Sequence, residues 1–465
     1  MIFSLEDQIK FAEISQDFNP IHINEVLARR YIFGEPVVHG INAMIFAIKE
    51  WSQMIETPFF IKDLRCKFKK PIFLNEDVSI KINNTENFVK IVLIQDNDIK
   101  VAIDMSILET THSNGKIKDH DSRTDHAPND ISFEKLNNFS HSIDCSLNIP
   151  LSEEYYSKDF VEKIGYEQLA EIISLSRIVG MHCPGLNSIL SEVSLIRNPN
   201  NKDSISFNVK SLDERFNIVN VESSGPNYQS SIKAFYRPLK VKQKSIDEIK
   251  DNLQTNEFKD FRALIIGASR GLGEYTAKCL GYGGASMMLT YAKGKDDIID
   301  VLNDIQNYNN EDISILKFDI TNMTERNFEI INEFKPTHVF YFATPFIFIG
   351  SKNKFSKQKY NKFKQYYLDA FETFVRNLAK LSINIKFLYP SSSAITDEPI
   401  DMLEYTLAKK RGEELCIKLQ NEFSKINFFC PRLPRLKTDQ TVSLSFVENK
   451  DPIEILDTIR LMKKN

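Results

Sequence analysis

The sequence predicts two fold classes in one chain, an α+β region in the first half and an α/β doubly wound region from about residue 259 onward. In the first half, apolar helical segments precede runs in which apolar and polar residues alternate, the order of a helix followed by an antiparallel meander. In the second region, short continuous apolar runs alternate with helical stretches, as expected of parallel strands buried on both faces. The pattern changes near Phe261, which marks the boundary.

The composition narrows the class of protein. The 465 residues leave room for about three domains, and the net charge of −4 comes from interspersed acids and bases, so no nucleic-acid partner is expected. No apolar run reaches the roughly 20 residues of a membrane helix, and the N-terminus lacks a basic signal region. The six cysteines include no Cys-x-x-Cys pair and are expected to be reduced core residues. We therefore expect a cytoplasmic protein with no metal site and no membrane partner.

The first candidate site lies in the run Asp17–Phe18–Asn19–Pro20–Ile21–His22. It places a carboxylate and an imidazole five residues apart across a proline turn, so Asp17 and His22 can bracket a water as acid and base. Gly40 follows His39 and opens an apolar helical segment, whose first N–H groups can hold a developing oxyanion. The alternative is structural, because Asp-x-Asn-Pro is a common turn and His39 can be a simple helix entry.

Together with Phe11, Ala12, Ala28 and Gly34, this run resembles the MaoC-like (R)-specific enoyl thioester hydratases over residues 1–110. The resemblance implies a hot-dog fold in which Asp17 and His22 are the catalytic pair. One departure is Gln16, where the family usually has glycine. The strands predicted for this domain are Leu64–Phe68, Val78–Ile82, Val89–Ile94 and Lys100–Leu108.

Residues 111–131 are polar and are expected to form a linker. His112, His120 and His126 lie there among aspartates, and a solvated loop is favoured over a metal site because no core would fix the ligand geometry.

Residues 132–238 repeat the helix-then-strands order without the acid–imidazole turn. A helix is predicted over Tyr166–Gly180, a turn over Met181–Leu186, and strands over Ile189–Ile196, Ser204–Val209, Phe216–Val221 and Ser230–Tyr236. This predicts a second, degenerate hot-dog, so that the N-terminal half is an α+β double hot-dog. His182 is either a catalytic relic or a structural residue.

Residues 239–258 are charged and are expected to be a second linker, followed by an α/β doubly wound Rossmann domain over 259–465. The apolar run Arg262–Ile266 leads into a glycine-rich turn and a helix, the arrangement that places a dinucleotide pyrophosphate on a helix N-terminus. The cofactor-binding residues predicted there are Gly267, Ser269, Arg270, Gly271, Leu272 and Gly273. Further buried strands are predicted over Ser286–Thr290, Ile313–Phe318, Thr337–Phe342, Ile385–Tyr389 and Ile426–Phe429.

A second catalytic group follows the strand that ends at Tyr389. Tyr405 and Lys409 are four residues apart and share a helix face, so the ammonium can lower the pKa of the phenol and bind the cofactor ribose. The hydroxyl of Ser392 can hold a substrate carbonyl while the phenol protonates it.

With the glycine turn, these residues resemble the short-chain dehydrogenase/reductases over about residues 260–445. The resemblance implies that Ser392 orients substrate, Tyr405 donates the proton and Lys409 completes the relay. It also places Asp319 and Ile320 at the adenine, Ala343 after the fourth strand, and Thr438–Asp439 near the nicotinamide. The sequence departs from the family in two places. Phe342–Ala343–Thr344 replaces the family's Asn-Ala-Gly. The asparagine of the family's proton relay has no clear counterpart, and Tyr366 or Tyr367 lies at about its position.

Charge favours NADP(H) over NAD(H). The second strand of the region ends without an acid until Asp296, whereas Lys293 and Arg270 supply two cations that suit the extra phosphate.

The two sites together predict a bifunctional enzyme, a 3-ketoacyl thioester reductase and an (R)-3-hydroxyacyl thioester dehydratase or enoyl hydratase. Its substrate would be carried by coenzyme A or by acyl carrier protein. Alternatives are a dehydrogenase acting on a non-thioester carbonyl such as a sugar, with a separate hot-dog thioester step, and a non-catalytic acyl- or cofactor-binding scaffold. Hot-dog proteins generally associate, so the chain is expected either to form a homodimer or to rely on its internal pair.

Overall fold

A computed structural model describes residues 1–85, 88–110, 117–119, 127–200, 202–309, 311–350, 353–444 and 447–464. The chain divides into two compact units. Unit 1 comprises Met1–Arg29 and Glu35–Leu239, and unit 2 comprises Arg30–Gly34 and Lys240–Asn465. Among the described residues, no helix is both long and apolar enough to cross a bilayer.

Unit 1 begins with four helices followed by four strands. The helices are α1 (Leu5–Ser15), α2 (Pro20–Ile23), α3 (Glu25–Ala28) and α4 (Gly40–Ser52). The strands are β1 (Phe59–Phe68), β2 (Ser79–Thr85), β3 (Phe88–Gln95) and β4 (Asp98–Glu109). Helix α4 is apolar on nearly all sides, and its buried residues include Met44, Ile48 and Trp51.

The rest of unit 1 repeats this order. It contains β5 (Lys118–Asp119), β6 (Ser140–Asp144), β7 (Ser146–Leu147), α5 (Ile149–Tyr156), α6 (Lys158–Ile164), α7 (Tyr166–Arg177), β8 (Ser188–Arg197), β9 (Ser204–Asp213), β10 (Ile218–Ser224) and β11 (Tyr228–Tyr236). A π-helical turn, Ile178–His182, extends α7, so the predicted helix is two elements.

Nine of the described strands of unit 1 form one antiparallel sheet in the order β2-β3-β4-β1-β8-β11-β10-β9-β6. The two halves meet where β1 pairs with β8, with Cys66 opposite Val193. The side chain of Gln168 on α7 adds a bond across this junction, because its Oε1 accepts from Ile61 N–H at 2.8 Å. The segments 1–110 and 132–238 therefore share one sheet and one core.

The predicted linker 111–131 is partly structured where it is described. Strand β5 pairs in parallel with β7, and Asn129 exchanges backbone bonds with Met181 and Leu186. His112, His120 and His126 lie outside the described residues.

Unit 2 is built on a six-stranded parallel sheet. Its strands are β12 (Arg262–Ile266), β13 (Ser286–Tyr291), β14 (Ile313–Lys317), β15 (His338–Tyr341), β16 (Ile385–Leu388) and β18 (Ile426–Phe429), and β17 (Ser391–Ser392) pairs separately with β19 (Arg432–Leu433). The order of the six is β14-β13-β12-β15-β16-β18, with a switch point beside β12, where such sheets bind their ligands. The doubly wound prediction is confirmed for this region.

Helices separate these strands. They are α8 (Ile246–Ile249), α9 (Gly271–Tyr282), α10 (Lys295–Gln306), α11 (Glu325–Phe334), α12 (Lys357–Lys364), α13 (Ala370–Ala379), α14 (Ala394–Asp397), α15 (Leu403–Glu422) and α16 (Glu454–Lys464). A π-helical turn, Gln365–Asp369, joins α12 to α13.

The segment 239–258 is not an independent linker. Its charged residues alternate with apolar ones, and Ile246, Ile249 and Phe258 are buried in the core of unit 2. Burial of these side chains makes the segment, from Lys240 onward, part of unit 2.

Candidate active sites

The turn that follows α1 is built around a left-handed residue. Gln16 has φ 57°, in the left-handed region that favours glycine. Glutamine therefore adopts the backbone conformation expected of a glycine at this position. Asn19 anchors the other side. Its Nδ2 donates to the carbonyl oxygens of Gly180 at 3.0 Å and Gly185 at 3.1 Å, and its Oδ1 accepts from Ile21 N–H at 3.2 Å.

Asp17 is buried between the turn and the second half of unit 1. One carboxylate oxygen accepts from the hydroxyl of Ser176 at 2.7 Å, and the other accepts from Asn19 N–H at 3.2 Å. A Cβ built on Gly180 would lie 2.1 Å from Asp17 Oδ1, so this approach requires glycine. Burial raises the pKa of Asp17 to about 7, although both hydrogen bonds act in the opposite direction.

His22 is held in one tautomer. Its Nδ1 donates to Val37 O at 2.8 Å, which leaves Nε2 with a lone pair. Burial lowers the pKa of His22 to about 4, so the ring is neutral at physiological pH. The ring stacks on that of His39 with centroids 3.8 Å apart.

His39 completes a compact group. Among the described residues, Asp17, His22 and His39 each offer a ligand-type atom, and these atoms lie within 4.8 Å of one another. The nitrogens of His39 already contact Gln8 Oε1 at 3.0 Å and Asp17 O at 3.1 Å. The arrangement brings Asp17 and His22 together at a separation that a water can bridge, as acid–base chemistry requires.

Helix α4 begins at Gly40, as predicted. Its first internal bond runs from Ala43 N–H to His39 O at 3.1 Å, so the N–H groups of Gly40, Ile41 and Asn42 have no acceptor within the helix. Donors of this kind at the positive end of a helix suit a developing oxyanion.

Sequence reasoning missed the residues that the second half of unit 1 adds to this site. Ser176 and Gly180 contact the carboxylate of Asp17, and the sulfur of Met181 accepts from Phe18 N–H at 3.2 Å. The amphipathic pattern of Tyr166–Gly180 places a helix here but does not show which side chain meets a residue about 160 positions away.

In unit 2, the glycine turn has the shape of a phosphate cradle. Gly267 has φ 84° and Gly271 has φ 58°, and a Cβ on Gly273 would lie 2.1 Å from Gly267 O. Helix α9 starts at Gly271, and the bond from Glu274 N–H to Arg270 O leaves the N–H groups of residues 271–273 without helical acceptors. Ser269 is buried and Leu272 half-buried beside them. These residues fit a dinucleotide pyrophosphate.

One of the two cations predicted at the cofactor site is paired with an acid. An acid does lie beside the turn, because Arg270 Nη1 forms a 2.9 Å ion pair with the buried carboxylate of Asp439. Asp439 comes from a segment 169 residues away, which the pattern around β13 cannot reveal. Lys293 follows β13, as predicted.

Two of the residues predicted near the cofactor, Ala343 and Thr438, lie close to the glycine turn. Asp319 follows β14, and its Oδ1 accepts from the N–H of Thr321 at 2.9 Å and from its hydroxyl at 2.7 Å, while Ile320 is buried. Ala343 follows β15, and its N lies 3.3 Å from a Cβ built on Gly267. Thr438 lies on the other side, 3.8 Å from a Cβ built on Gly271.

Ser392, Tyr405 and Lys409 come together after β16. Tyr405 shares a hydrogen bond with Ser392 that lowers its pKa, but burial is the larger effect and raises it. Lys409 Nζ donates to Pro390 O at 2.7 Å, and burial lowers its pKa to about 7. The expectation that the lysine lowers the pKa of the phenol is therefore wrong here, because both groups are desolvated.

Tyr367 occupies the region of the absent relay asparagine. It lies in the π-helical turn Gln365–Asp369, and its hydroxyl is hydrogen-bonded to that of Thr344. The side chain of Tyr367, rather than that of Tyr366, therefore faces the Tyr405–Lys409 pair, with its ring centre 6.0 Å from that of Tyr405.

Comparisons with known proteins identify the N-terminal segment. Residues 3–102 match the family described as MaoC like domain, so the chain carries such a domain at its N-terminus. The (R)-specific enoyl-CoA hydratase of Aeromonas caviae is 29% identical over 84 residues, which cover 18% of this chain and 63% of that enzyme. The chain thus spans less than two thirds of the length of that relative.

Solved structures are similar to part of the chain. An oxidoreductase, yciK from E. coli, aligns with 16% identity and a TM-score of 0.41, covering 45% of this chain and 91% of that one. A short chain dehydrogenase from Burkholderia cenocepacia, in complex with NADP, aligns with 16% identity and a TM-score of 0.40, covering 44% and 90%. Scores of this size do not establish a relationship between these proteins and unit 2.

Proposed function

We propose that this chain is a bifunctional enzyme, an NADP(H)-dependent 3-ketoacyl thioester reductase and an (R)-3-hydroxyacyl thioester dehydratase that also runs as an enoyl hydratase. The acyl group would be carried by coenzyme A or acyl carrier protein. The nine-stranded sheet with its long helices α4 and α7 supports a double hot-dog as the fold of unit 1. Its second half lacks the acid–imidazole turn.

The observation that carries the hydratase proposal is the buried pair of Asp17 and His22. In hydration, the lone pair of His22 Nε2 takes a proton from water, the oxygen of that water bonds to C3, and Asp17 in its acid form protonates C2. The N–H groups of Gly40 and Ile41 hold the enolate oxygen that develops on the thioester carbonyl. Dehydration reverses each of these transfers.

The reductase proposal rests on Ser392, Tyr405 and Lys409, which lie in the same unit as the glycine turn. The nicotinamide cofactor supplies the hydride when it is bound. Residues 271–273 and Arg270 would hold its phosphates, and Ser392 would hold the substrate carbonyl. Tyr405 then gives its phenolic proton to the oxygen as C3 becomes a carbinol, and Lys409 in its charged form would bind the cofactor ribose.

A crossed pair of variants tests the division of labour. Asp17→Asn is expected to abolish hydration of an enoyl thioester, followed by loss of its absorbance, while reduction of a 3-ketoacyl thioester continues. Tyr405→Phe is expected to abolish oxidation of the nicotinamide, followed at its absorbance band, while hydration continues. Loss of both activities in either variant would contradict two independent sites.

A non-catalytic role for unit 2 is the second candidate, because aromatic rings enclose Lys409 and the relay asparagine has no counterpart. Lys409 Nζ lies 3.9 Å from the ring centre of Tyr367 and 4.9 Å from that of Tyr389. Binding of NADPH with no oxidation in the presence of 3-ketoacyl thioesters or of sugar carbonyls would favour the scaffold. Oxidation with a sugar but no thioester would favour the other alternative.

A further inference from the structure

A cavity of about 490 Å³ in unit 1 lies beside the catalytic turn. Its lining includes Gln16, which precedes Asp17, and Met181, whose sulfur accepts from Phe18 N–H. It also includes Arg177, which follows the Ser176 that bonds to Asp17. The cavity is therefore lined by the residues adjacent in sequence to both partners of the Ser176–Asp17 hydrogen bond, and a volume of this size suits a small-molecule group.

The lining is cationic and aromatic. The guanidinium of Arg177 faces this space with the imidazoles of His141 and His182, whose ring centroids are 5.1 Å apart. Burial lowers the pKa of Arg177, and the carboxylate that opposes this effect is Asp144. Asp144 is itself paired with Lys118 at 2.7 Å.

Within the described chain, no acceptor lies within hydrogen-bond or ion-pair distance of Arg177. A half-buried guanidinium without such a partner is costly in free energy unless a ligand supplies the acceptor. A planar, permanently charged fork matches a phosphate or a carboxylate, the two anions that arginine binds in bidentate fashion.

We propose that this cavity binds an anionic group of the thioester substrate through Arg177, with His141 and His182 beside it, an inference that rests on the proposed hydratase activity. Two parts of a substrate carry such a group. The carrier arm of coenzyme A has phosphates, and an acyl chain can end in a carboxylate. Either anion, once bound to Arg177, would fix the position of the substrate's 2,3-bond relative to Asp17 and His22.

Three thioesters separate the two sources. Crotonyl-CoA has an anionic carrier, crotonyl-N-acetylcysteamine has no anion, and glutaconyl-N-acetylcysteamine has an anionic acyl end. In the full-length protein, Arg177→Gln is expected to lower kcat/KM for hydration of the preferred anionic thioester by about 10- to 100-fold. The rate with crotonyl-N-acetylcysteamine should be unchanged, and Arg177→Lys should restore part of the loss.

Arg215→Gln is the matched control, because Arg215 is exposed in the same unit and pairs with Asp213. A selective loss with crotonyl-CoA assigns the cavity to the carrier phosphates, and a selective loss with the glutaconyl thioester assigns it to the acyl carboxylate. An equal effect of Arg177→Gln on all three thioesters, or none, overturns the proposal.

The proposed function can fail separately. If the wild-type protein hydrates none of the three thioesters, the hydratase proposal is wrong, and calorimetry with free coenzyme A and with glutarate still tests the cavity. Binding of either probe that Arg177→Gln abolishes and Arg215→Gln preserves supports the anion site. Binding of neither probe, or equal binding to both variants, refutes it.

Discussion

The ammonium group of Lys409 lies 3.9 Å from the centre of the Tyr367 ring. It donates a hydrogen bond to Pro390 O and lies over the rings of Tyr367 and Tyr389, which do not replace the water that would solvate its charge. Cys416, Cys430 and Glu413 act to raise its pKa, but the effect of burial is larger. Burial therefore lowers the pKa of Lys409 to about 7, and the lysine is charged only in part at neutral pH. This relationship makes the proposed reductase site sensitive to pH in a range where most lysines are fully protonated.

Replacing Tyr367 by Asn should move the pH dependence of reduction. The charged form of Lys409 exists below its pKa, so reductase activity of the wild type should fall as the pH rises through about 7. A smaller polar side chain admits water to Nζ and raises that pKa, because it relieves part of the effect of burial. The pH at which reductase activity falls should therefore rise by about one unit or more. The measurement is kcat/KM for NADPH oxidation against pH. Tyr366→Asn serves as the control, and an unshifted profile in Tyr367→Asn would contradict this role.

Ser176 should tune the acid of the hydratase pair. Its hydroxyl donates to Asp17 at 2.7 Å and lowers the pKa of that carboxyl, which burial raises to about 7. Because Asp17 acts in its acid form, hydration should be fastest between the pKa values of His22, about 4, and Asp17, about 7. Ser176→Ala should move the upper limb of the profile to higher pH by about one unit.

Ser174→Ala is the matched control for Ser176, since that buried hydroxyl bonds only within its own helix, to Ala170 O at 2.8 Å, among the described residues. It should leave the profile in place. A hydration rate that rises instead of falling through pH 7 would show that the roles of Asp17 and His22 are reversed.

The free energy of unfolding should decrease as the pH rises because of the burial of Asp17. Its pKa is raised from 3.8 to about 7 in the folded state, so its contribution to stability is fully present below about pH 3.8 and is lost as the pH rises through about 7. Three pKa units correspond to about 4 kcal/mol. The asparagine of Asp17→Asn does not ionise, so the variant should not lose stability in this way. Between pH 4 and pH 8, the free energy of unfolding of the variant minus that of the wild type should therefore increase by up to about 4 kcal/mol.

The fluorescence of Trp51 can follow this unfolding, because it is the single tryptophan of the chain and is buried in unit 1. Denaturant titrations at the two pH values give the free energies. A difference between Asp17→Asn and the wild type that does not change with pH would show that burial of this carboxyl does not act on stability.

Gly180→Ala should abolish hydration while sparing reduction. The added Cβ would lie 2.1 Å from Asp17 Oδ1, so either the π-helical turn or the carboxylate must move. A displacement of about 1 Å at a catalytic group can cost 100-fold in rate. The ratio of hydratase to reductase activity measures the effect, and Val179→Ala at the preceding buried position controls for a general loss of packing.

Arg270 should contribute to the choice between NADPH and NADH, although Asp439 neutralises part of its charge. Arg270→Gln is expected to lower kcat/KM with NADPH by about 10- to 100-fold and with NADH by less. Asp439→Asn should shift the preference further toward NADPH, since the guanidinium then keeps its full charge for a phosphate. Arg326→Gln, at an exposed pair in the same unit, should change neither rate. Equal losses with both cofactors in Arg270→Gln would argue against 2′-phosphate recognition.

The sequence by itself determined those parts of the protein that depend on short-range spacing. Three local patterns have a backbone geometry that follows from turn and helix periodicity. They are the five-residue separation of Asp17 and His22, the glycines at 267, 271 and 273, and the four-residue separation of Tyr405 and Lys409. Most strands of both sheets could likewise be placed within a few residues from their alternating or continuous apolar runs, but β6 was not predicted and β1 begins earlier than predicted, at Phe59.

Only the tertiary structure decided what surrounds those patterns. Ser176 and Gly180 reach Asp17 from about 160 residues away, Asp439 reaches Arg270 across 169, and Tyr367 closes over Lys409. The pKa values of Asp17 and Lys409 depend on this burial, which no local pattern records. The physical reason is that spacing fixes which side chains share a turn or a helix face, whereas solvation and pairing depend on chain segments that meet only after folding.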